Sequence, residues 1–195
     1  AQPLGGGAAL AKAAEILRQQ KKYHELFEVL KMQLRLKLGL PLLAGEGADG
    51  LAEQQRTQLE DGLIAACREV GSALLSDGKI REGWMYLRPV GDKAEGARLL
   101  GQIPATDENY EELIDVCLHE GIDPGRGYGL VLNHYGVCNA ITTFDSSLSR
   151  RPRSDQAPAA RLLLRQVHED LLGSVRADIA RREAREPAER TLKEL

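Results

Sequence analysis

Segment 134–145 carries more hydrogen-bonding side chains than the middle of a core helix usually contains. If this segment is helical, residues three or four positions apart share a face. The spacing then places His134, Cys138, Ile141 and Asp145 along one face, and Tyr135, Asn139, Thr142 and Thr143 along an adjoining one. The polar members are candidate residues for binding a ligand or a partner: His134, Tyr135, Asn139, Thr142, Thr143 and Asp145.

These residue types would support four kinds of role. A polar surface would bind a small ligand or a peptide, whereas hydrogen bonds to neighbouring turns would leave Cys138 and Ile141 in the core. His134 and Cys138 would also provide two metal ligands, although zinc normally takes three or four from the protein. As a base and nucleophile, the pair would need an oxyanion donor, and the sequence identifies none. We favour the structural role, keep the binding surface as the second hypothesis, and expect no catalytic residue, metal or cofactor.

Two further motifs have structural explanations that we favour over functional ones. Gly125, Gly127 and Gly129 suggest a phosphate-binding loop, but they follow a predicted helix and lack the G-K-[ST] element. We interpret them as a loose helix start or a small-residue packing contact. An acidic first turn interacts favourably with the helix dipole, which explains a group of carboxylates: Asp107, Glu108, Glu111 and Glu112.

Trp84 and an arginine cluster are the other side chains that suggest a binding role. Trp84 falls on an apolar stripe, which favours core packing over a binding anchor. Arg150, Arg151 and Arg153 lie in a stretch rich in Ser and Pro, where we expect them to be solvated. Contact with an anionic partner is the alternative for these arginines.

The bulk composition predicts a globular helical protein. Of the 195 residues, 43% are hydrophobic and only 4% aromatic, so aliphatic side chains must build the core. Leu and Ala dominate and β-branched residues are sparse, which favours helices over sheets. The net charge of −3 gives no drive toward nucleic acid or anionic membranes, and no apolar run is long enough to span a bilayer.

The cysteines and the chain ends bear on compartment and completeness. Cys67, Cys117 and Cys138 are odd in number and form no CxxC pair, so we expect small buried residues in a reducing compartment. A cytoplasmic location follows as the prediction. The chain begins with Ala1 and ends at Leu195 on a charged helical pattern, from which we infer a fragment of a longer protein.

Apolar periodicity predicts the helices that would position these residues. They cover residues 8–20, 23–38, 51–76, 80–88, 93–100, 107–120, 124–144 and 159–185 approximately. The last has a predicted core face of Leu164, Val167, Leu171, Val175 and Ile179. We divide the chain into a flexible N-terminal segment (1–7), a helical-repeat domain (8–145), an exposed loop (146–158), a C-terminal helix (159–186) and the start of a further element or tail (187–195).

Two helix-opening segments share one pattern. Residues 22–30 (KYHELFEVL) align with 79–87 (KIREGWMYL) as an apolar residue, a Glu two later, an aromatic and a Leu. The run Tyr23–Phe27 resembles the tetratricopeptide-repeat (TPR) family, and that resemblance implies stacked antiparallel helix pairs that bury each other's apolar stripes. The two turns are further apart than the family period of about 34 residues, and Leu26 stands where the family usually has Ala.

These patterns predict an all-α protein whose antiparallel helix pairs stack as a short TPR-like superhelix, followed by a long C-terminal helix. Segment 133–145 is similar to a group of bacterial helical-repeat proteins, a resemblance that implies no activity. Our hypothesis is a non-catalytic scaffold or adaptor that binds a peptide or protein partner. The alternative is a helical domain of a larger enzyme, or a small-molecule sensor, with a polar pocket near residues 134–145. We expect neither nucleic acid nor a membrane as partner, and the oligomeric state stays open.

Overall fold

The computed structural model describes residues 5–43, 51–184, 188 and 191, and these residues form helices and turns without any strand. The all-α prediction is confirmed. The chain divides into two compact units, residues 1–104 and 105–195, so the boundary falls inside the segment predicted as one domain (8–145). Most of the predicted flexible start (1–7) and C-terminal tail (187–195) lies outside the described residues. Within the described ranges, no helix combines the length and apolarity that a membrane span requires.

The first unit is a succession of helices, and all but α2 and α3 are joined by short turns. Its helices are α1 (Gly6–Gln19), α2 (Tyr23–Lys37), α3 (Glu53–Ser76), α4 (Ile80–Leu87) with a 3₁₀ turn (Arg88–Val90), and α5 (Lys93–Gly101). Each of the first four packs on the next along the chain. The shared core comes from small, aliphatic and aromatic residues: Ala14, Tyr23, Leu26, Val70 and Leu74. Trp84 is only 9% exposed, which agrees with the prediction that it packs in the core.

The turns before α2 and α4 have the same backbone geometry. In each, the lysine that precedes the helix, Lys22 or Lys79, donates its amide to the carbonyl five residues earlier at 3.0 Å. The residue before that lysine has a positive φ, 56° at Lys21 and 78° at Gly78. This is the pattern of a Schellman helix end. The sequence similarity of the two segments therefore corresponds to one repeated local structure.

A hydrogen-bonded cluster ties the α1–α2 turn to the end of α3. Tyr23 Oη and Lys21 Nζ donate to the two carboxylate oxygens of Asp77 at 2.9 and 2.7 Å. The hydrogen bond from Lys21, followed by that from Tyr23, lowers the pKa of Asp77 below 3.8. Because the folded pKa is the lower one, the ionised carboxylate stabilises the fold above the unfolded pKa, and this contribution is lost as the pH falls through the folded value.

We expect Tyr23→Phe to lower the free energy of unfolding by about 1 kcal/mol at pH 7, since it removes a hydrogen bond to a charged group and keeps the buried ring. The loss should shrink at an acidic pH below the lowered pKa of Asp77, where the carboxylate is protonated. Urea unfolding at both pH values measures it. The same substitution in an Asp77→Asn background is the control and should have a smaller effect. Equal losses at both pH values and in both backgrounds would contradict this role for Asp77.

The described residues of the second unit form three helices and two single-turn π-helices. They are α6 (Tyr110–Ile114) with the π-turn Asp115–His119, α7 (Pro124–Thr143) with the π-turn Phe144–Leu148, and α8 (Arg153–Glu183). Helix α7 is capped at its start, since the Asp123 carboxylate accepts the Arg126 amide at 3.0 Å and Pro124 opens the helix. The segment predicted as a loop (146–158) is instead largely helical, and α8 continues through Pro158.

Two predicted helix faces differ from the structure. Gly136 interrupts α7 with φ 77° and ψ 176°, so His134 and Asp145 do not share one continuous face as predicted. The predicted core face of α8 is also wrong at three positions, because Leu164, Val167 and Leu171 are 69%, 41% and 50% exposed. Helical spacing indicates that residues share a side of a helix only while the helix is uninterrupted, and it does not say which side is covered.

Candidate binding cleft

An open cleft of about 450 Å³ lies in the second unit, between the α6 segment and the end of α7. Its floor is apolar, with Ile114 and Val131 buried. Its walls are mostly polar, and the lining residues are Glu111, Ile114, Asp115, His119, Val131, Tyr135, Thr143, Ser146 and Ser147. Both π-turns contribute to it, and such turns are frequent at functional sites.

The first wall presents ionisable side chains at a regular spacing. Glu111, Asp115 and His119 are four residues apart along α6 and its π-turn. The π-turn is marked by a wide backbone bond, in which the Glu120 amide donates to the Asp115 carbonyl at 3.0 Å. Glu111 and His119 are exposed, and Asp115 is half-buried. Two carboxylates therefore face the cleft from one helical edge.

The second wall exists because the chain reverses at Gly136. Buried Tyr128 donates its hydroxyl to the Ala140 carbonyl at 2.8 Å, and its ring meets Phe144 edge-on at 6.0 Å. Twelve residues of uninterrupted helix would separate residues 128 and 140 by about 18 Å, beyond the reach of a tyrosine. The turn at Gly136 thus returns residues 137–148 toward the first half of α7, where Thr143, Ser146 and Ser147 reach the cleft.

Two contacts hold the walls in place. Arg151 donates to the carbonyls of Leu118 and His119 at 2.7 and 2.9 Å, so this arginine binds the end of the first π-turn and is not simply solvated as predicted. Gly127 of α7 passes close to the same π-turn, because a Cβ there would lie 2.6 Å from the Leu118 backbone nitrogen. The glycine motif of α7 is therefore a packing contact, one of the two interpretations that the sequence favoured.

An aromatic group stands at the edge of the cleft. The ring of Tyr110 stacks on His134 at 4.1 Å between centroids and meets Tyr135 at 6.0 Å. Hydrogen bonding with Tyr135, then burial and the nearby Glu111 carboxylate, raise the pKa of Tyr110 to about 12. The Tyr110 hydroxyl is therefore neutral near pH 7. The cleft's negative charge comes from its two carboxylates.

The six candidate residues fall into three groups. Tyr135 and Thr143 line the cleft. His134 stacks on Tyr110, outside the lining. The remaining three make local backbone hydrogen bonds: the Asn139 amide donates to the Tyr135 carbonyl at 2.7 Å, the Thr142 hydroxyl to the Cys138 carbonyl at 3.1 Å, and the Asp145 carbonyl accepts the Ser149 hydroxyl. The side chains of Asn139 and Thr142 thus make the local hydrogen bonds of the structural role that we favoured. The core half of that interpretation is wrong, because Cys138 is exposed and Ile141 is 50% exposed.

Sequence reasoning missed the acidic wall and the serines. The four-residue spacing of Glu111, Asp115 and His119 is a sequence signal for the acidic wall. We did not use it, because we explained the carboxylates by the helix dipole alone. Ser146 and Ser147 gave no such signal, because they lie in the segment predicted as an exposed loop. Their position depends on the reversal at Gly136.

The cysteines offer little for catalysis. Burial raises the pKa of the Cys117 thiol to about 11, which keeps it protonated at neutral pH. Cys138 is exposed, contrary to its predicted burial, and the interruption at Gly136 separates it from the face of His134. Among the residues that the structure describes, no group of three or more His, Cys, Asp or Glu side chains is arranged to hold a metal ion.

The comparisons with known proteins suggest no function for this chain, so a functional proposal has to rest on the chemistry of the cleft. Protein-family models, curated proteins and solved structures were compared with this chain, and none of them matches it.

Proposed function

We propose that this protein is a non-catalytic helical adaptor whose second unit binds a positively charged segment of a partner protein. The observation that carries the proposal is the cleft, in which Glu111 and Asp115 stand on one wall above an apolar floor. Carboxylates bind Arg and Lys through charge-assisted hydrogen bonds. The apolar floor would cover the aliphatic stem of such a side chain while its charged end meets the acids.

The opposite wall suits the same ligand. Hydroxyls of Thr143, Ser146 and Ser147 accept hydrogen bonds from a guanidinium or from a peptide backbone. The ring of Tyr135 is 44% exposed, and a cation over an aromatic face is attracted by the ring. Each wall therefore favours a donor-rich, cationic ligand.

The shape of the cleft favours a protein segment over a metabolite. Sites for small molecules are usually concave enough to bury most of the ligand, whereas this cleft is open to solvent. An open, polar-walled cleft with buried Ile114 and Val131 at its floor suits one or two side chains of a longer chain. We keep the small-molecule sensor as the alternative, since Tyr135 and Thr143 of the predicted pocket do line the cleft.

The proposal also includes a TPR-like fold and a cytoplasmic location, which rest on the first unit and on the cysteines. The repeated turns before α2 and α4 support a TPR-like arrangement of helix pairs in the first unit. All three cysteines are free, which supports a reducing, cytoplasmic compartment. A bacterial source stays an expectation from sequence resemblance.

Selection from phage-displayed random 12-residue peptides tests this function. We expect the enriched peptides to contain several Lys or Arg residues. The affinity for a labelled selected peptide is measured by fluorescence anisotropy at 150 mM salt. In the double variant Glu111→Gln/Asp115→Asn it should fall at least about tenfold. Such a loss corresponds to only about 1.4 kcal/mol of binding free energy. Higher salt should weaken the wild-type complex as well.

The matched control is Asp107→Asn/Glu108→Gln, which removes the same charge from exposed residues outside the cleft. Its affinity should fall much less than that of the cleft variant, because these two exposed carboxylates do not line the cleft and attract a bound cation only through solvent and salt. Enrichment of peptides without basic residues, or equal weakening by both double variants, would show that the cleft acids do not recognise the ligand.

A further inference from the structure

The first unit contains a cavity of its own, which we call the α2–α3 pocket. It has a volume of about 200 Å³ and lies between α2 and α3, beside the segment that follows α2. Its apolar lining comes from aliphatic side chains: Met32, Leu42, Leu43, Leu59 and Leu63. The lining residues that the structure describes include no hydroxyl or amide side chain, so the interior suits a hydrocarbon.

Arg35 holds one end of the α2–α3 pocket in place. Its Nε donates to the Pro41 carbonyl, and its Nη2 donates to the Leu43 carbonyl at 3.2 Å. These bonds keep the segment after α2 close to the helix, where Leu42 and Leu43 line the pocket. Both leucines remain exposed, by 44% and 71%. Because apolar surface gains free energy when it leaves water, an aliphatic ligand that covers these side chains is favoured.

The charged side chains of the lining leave one positive charge in excess. Lys31 Nζ and Glu28 Oε1 are 2.7 Å apart and form an ion pair. The two acceptors of Arg35 are carbonyls, which do not neutralise its charge. A guanidinium has five N–H donors in a fixed fork. The edge formed by Nη1 and the second hydrogen of Nη2 is therefore suited to bind a carboxylate through two charge-assisted hydrogen bonds.

We propose that the α2–α3 pocket binds the anion of an aliphatic monocarboxylic acid, a fatty acid of medium chain length. The hydrocarbon chain packs on Met32, Leu59 and Leu63, and the carboxylate binds the Arg35 guanidinium. The pocket is smaller than the roughly 300–1,000 Å³ of sites for drug-sized molecules, which favours a narrow chain over a ring system. The cleft of the second unit takes no part, so this site is independent of peptide binding.

A titration of the ¹⁵N-labelled whole chain with octanoate tests the proposal. We expect saturable amide shifts at residues 31–35 and 59–63, with a Kd of about 1 mM or below. Hexanoate should bind about 15-fold more weakly, because it lacks two CH₂ groups that each contribute about fourfold in affinity. Octylammonium has the same chain with the opposite charge, and it should cause no saturable shift at these residues.

The two methionines of the chain provide a matched pair of variants. Met32→Glu should abolish octanoate binding, because it places a carboxylate on the pocket wall. Met85→Glu makes the same change on α4, where Met85 is 57% exposed and does not line the pocket. This control should bind octanoate as the wild type does.

Two further variants test the charged side chains. Glu28→Gln should bind octanoate about threefold more tightly, because it releases Lys31 as a second cation. Arg35→Gln should weaken octanoate binding at least about tenfold and should weaken the binding of uncharged octanol much less. Equal weakening of both ligands would show that Arg35 does not bind the carboxylate.

Urea unfolding followed by circular dichroism shows whether each variant is folded, and the ligand series on the wild type needs no substitution. The proposal is overturned if octanoate causes no saturable shift at residues 31–35 and 59–63 of the wild type. Octylammonium that binds as tightly as octanoate would also overturn it. Equal octanoate affinities of Met32→Glu and Met85→Glu would place the binding outside the α2–α3 pocket.

Discussion

Replacing Gly127 by Ala should destabilise the second unit by about 3 kcal/mol and lower its unfolding midpoint by on the order of 10 °C. The added Cβ would lie 2.6 Å from the Leu118 backbone nitrogen and 2.7 Å from its Cβ. Backbone atoms of a π-turn cannot rotate away as the end of a side chain would, so α7 and the turn must separate. The cleft between them should widen, and basic-peptide affinity should fall with stability.

Gly129→Ala is the matched control two residues along the same helix. A Cβ there meets only Leu162 at 3.5 Å, an ordinary van der Waals distance. Because Ala favours helix over Gly, this variant should match or exceed wild-type stability by up to about 1 kcal/mol. Thermal and urea unfolding of both variants measure the contrast. Similar stabilities for the two variants would mean that α7 does not approach the π-turn as described.

Gly136→Ala should cost about 1–3 kcal/mol and abolish most binding of the basic peptide. At φ 77° and ψ 176°, the backbone occupies a region that is essentially restricted to glycine. The alternative open to the variant is to straighten α7, which breaks the hydrogen bond from Tyr128 to Ala140 and removes the second wall. Binding should therefore fall even under conditions where most of the variant remains folded.

Gly173→Ala in α8 is the control for Gly136→Ala. It shows the effect of replacing a helical glycine where no turn depends on it. Nothing lies within 4 Å of a Cβ at that position, and no positive φ is recorded there, so we expect a gain of about 0.5–1 kcal/mol in unfolding free energy. Urea unfolding and peptide anisotropy on both variants provide the comparison. If Gly136→Ala kept wild-type stability and affinity, the reversal of the chain would be refuted.

Local chemistry explains why much of the fold could be predicted from the sequence. The turn at Gly78 and the capped start of α7 at Asp123 depend on residues within a few positions of each other. The aliphatic stripe of α3 likewise follows from helical spacing, and its members Val70 and Leu74 are fully buried. These features need no knowledge of distant parts of the chain.

The cleft could not be predicted because it depends on contacts between distant residues. A glycine inside a helical pattern is compatible with a continuous helix, and the positive φ of Gly136 belongs to a turn supported by Tyr128 and Ala140, twelve residues apart. The π-turns insert one extra residue into a helix, which does not disturb the apolar pattern over such a short span. Of the six candidate residues, Tyr135 and Thr143 line the cleft, whereas Glu111 and Asp115 come from another helix.

The location of peptide binding is measured most directly by amide chemical-shift changes in ¹⁵N-labelled protein titrated with the selected basic peptide. We predict that the largest changes fall at residues 111–119, 131–135 and 143–147, and that they saturate with the affinity found by anisotropy. Changes confined to residues 5–104, or the absence of any change near Glu111 and Asp115, would contradict the assignment of the cleft as the binding site.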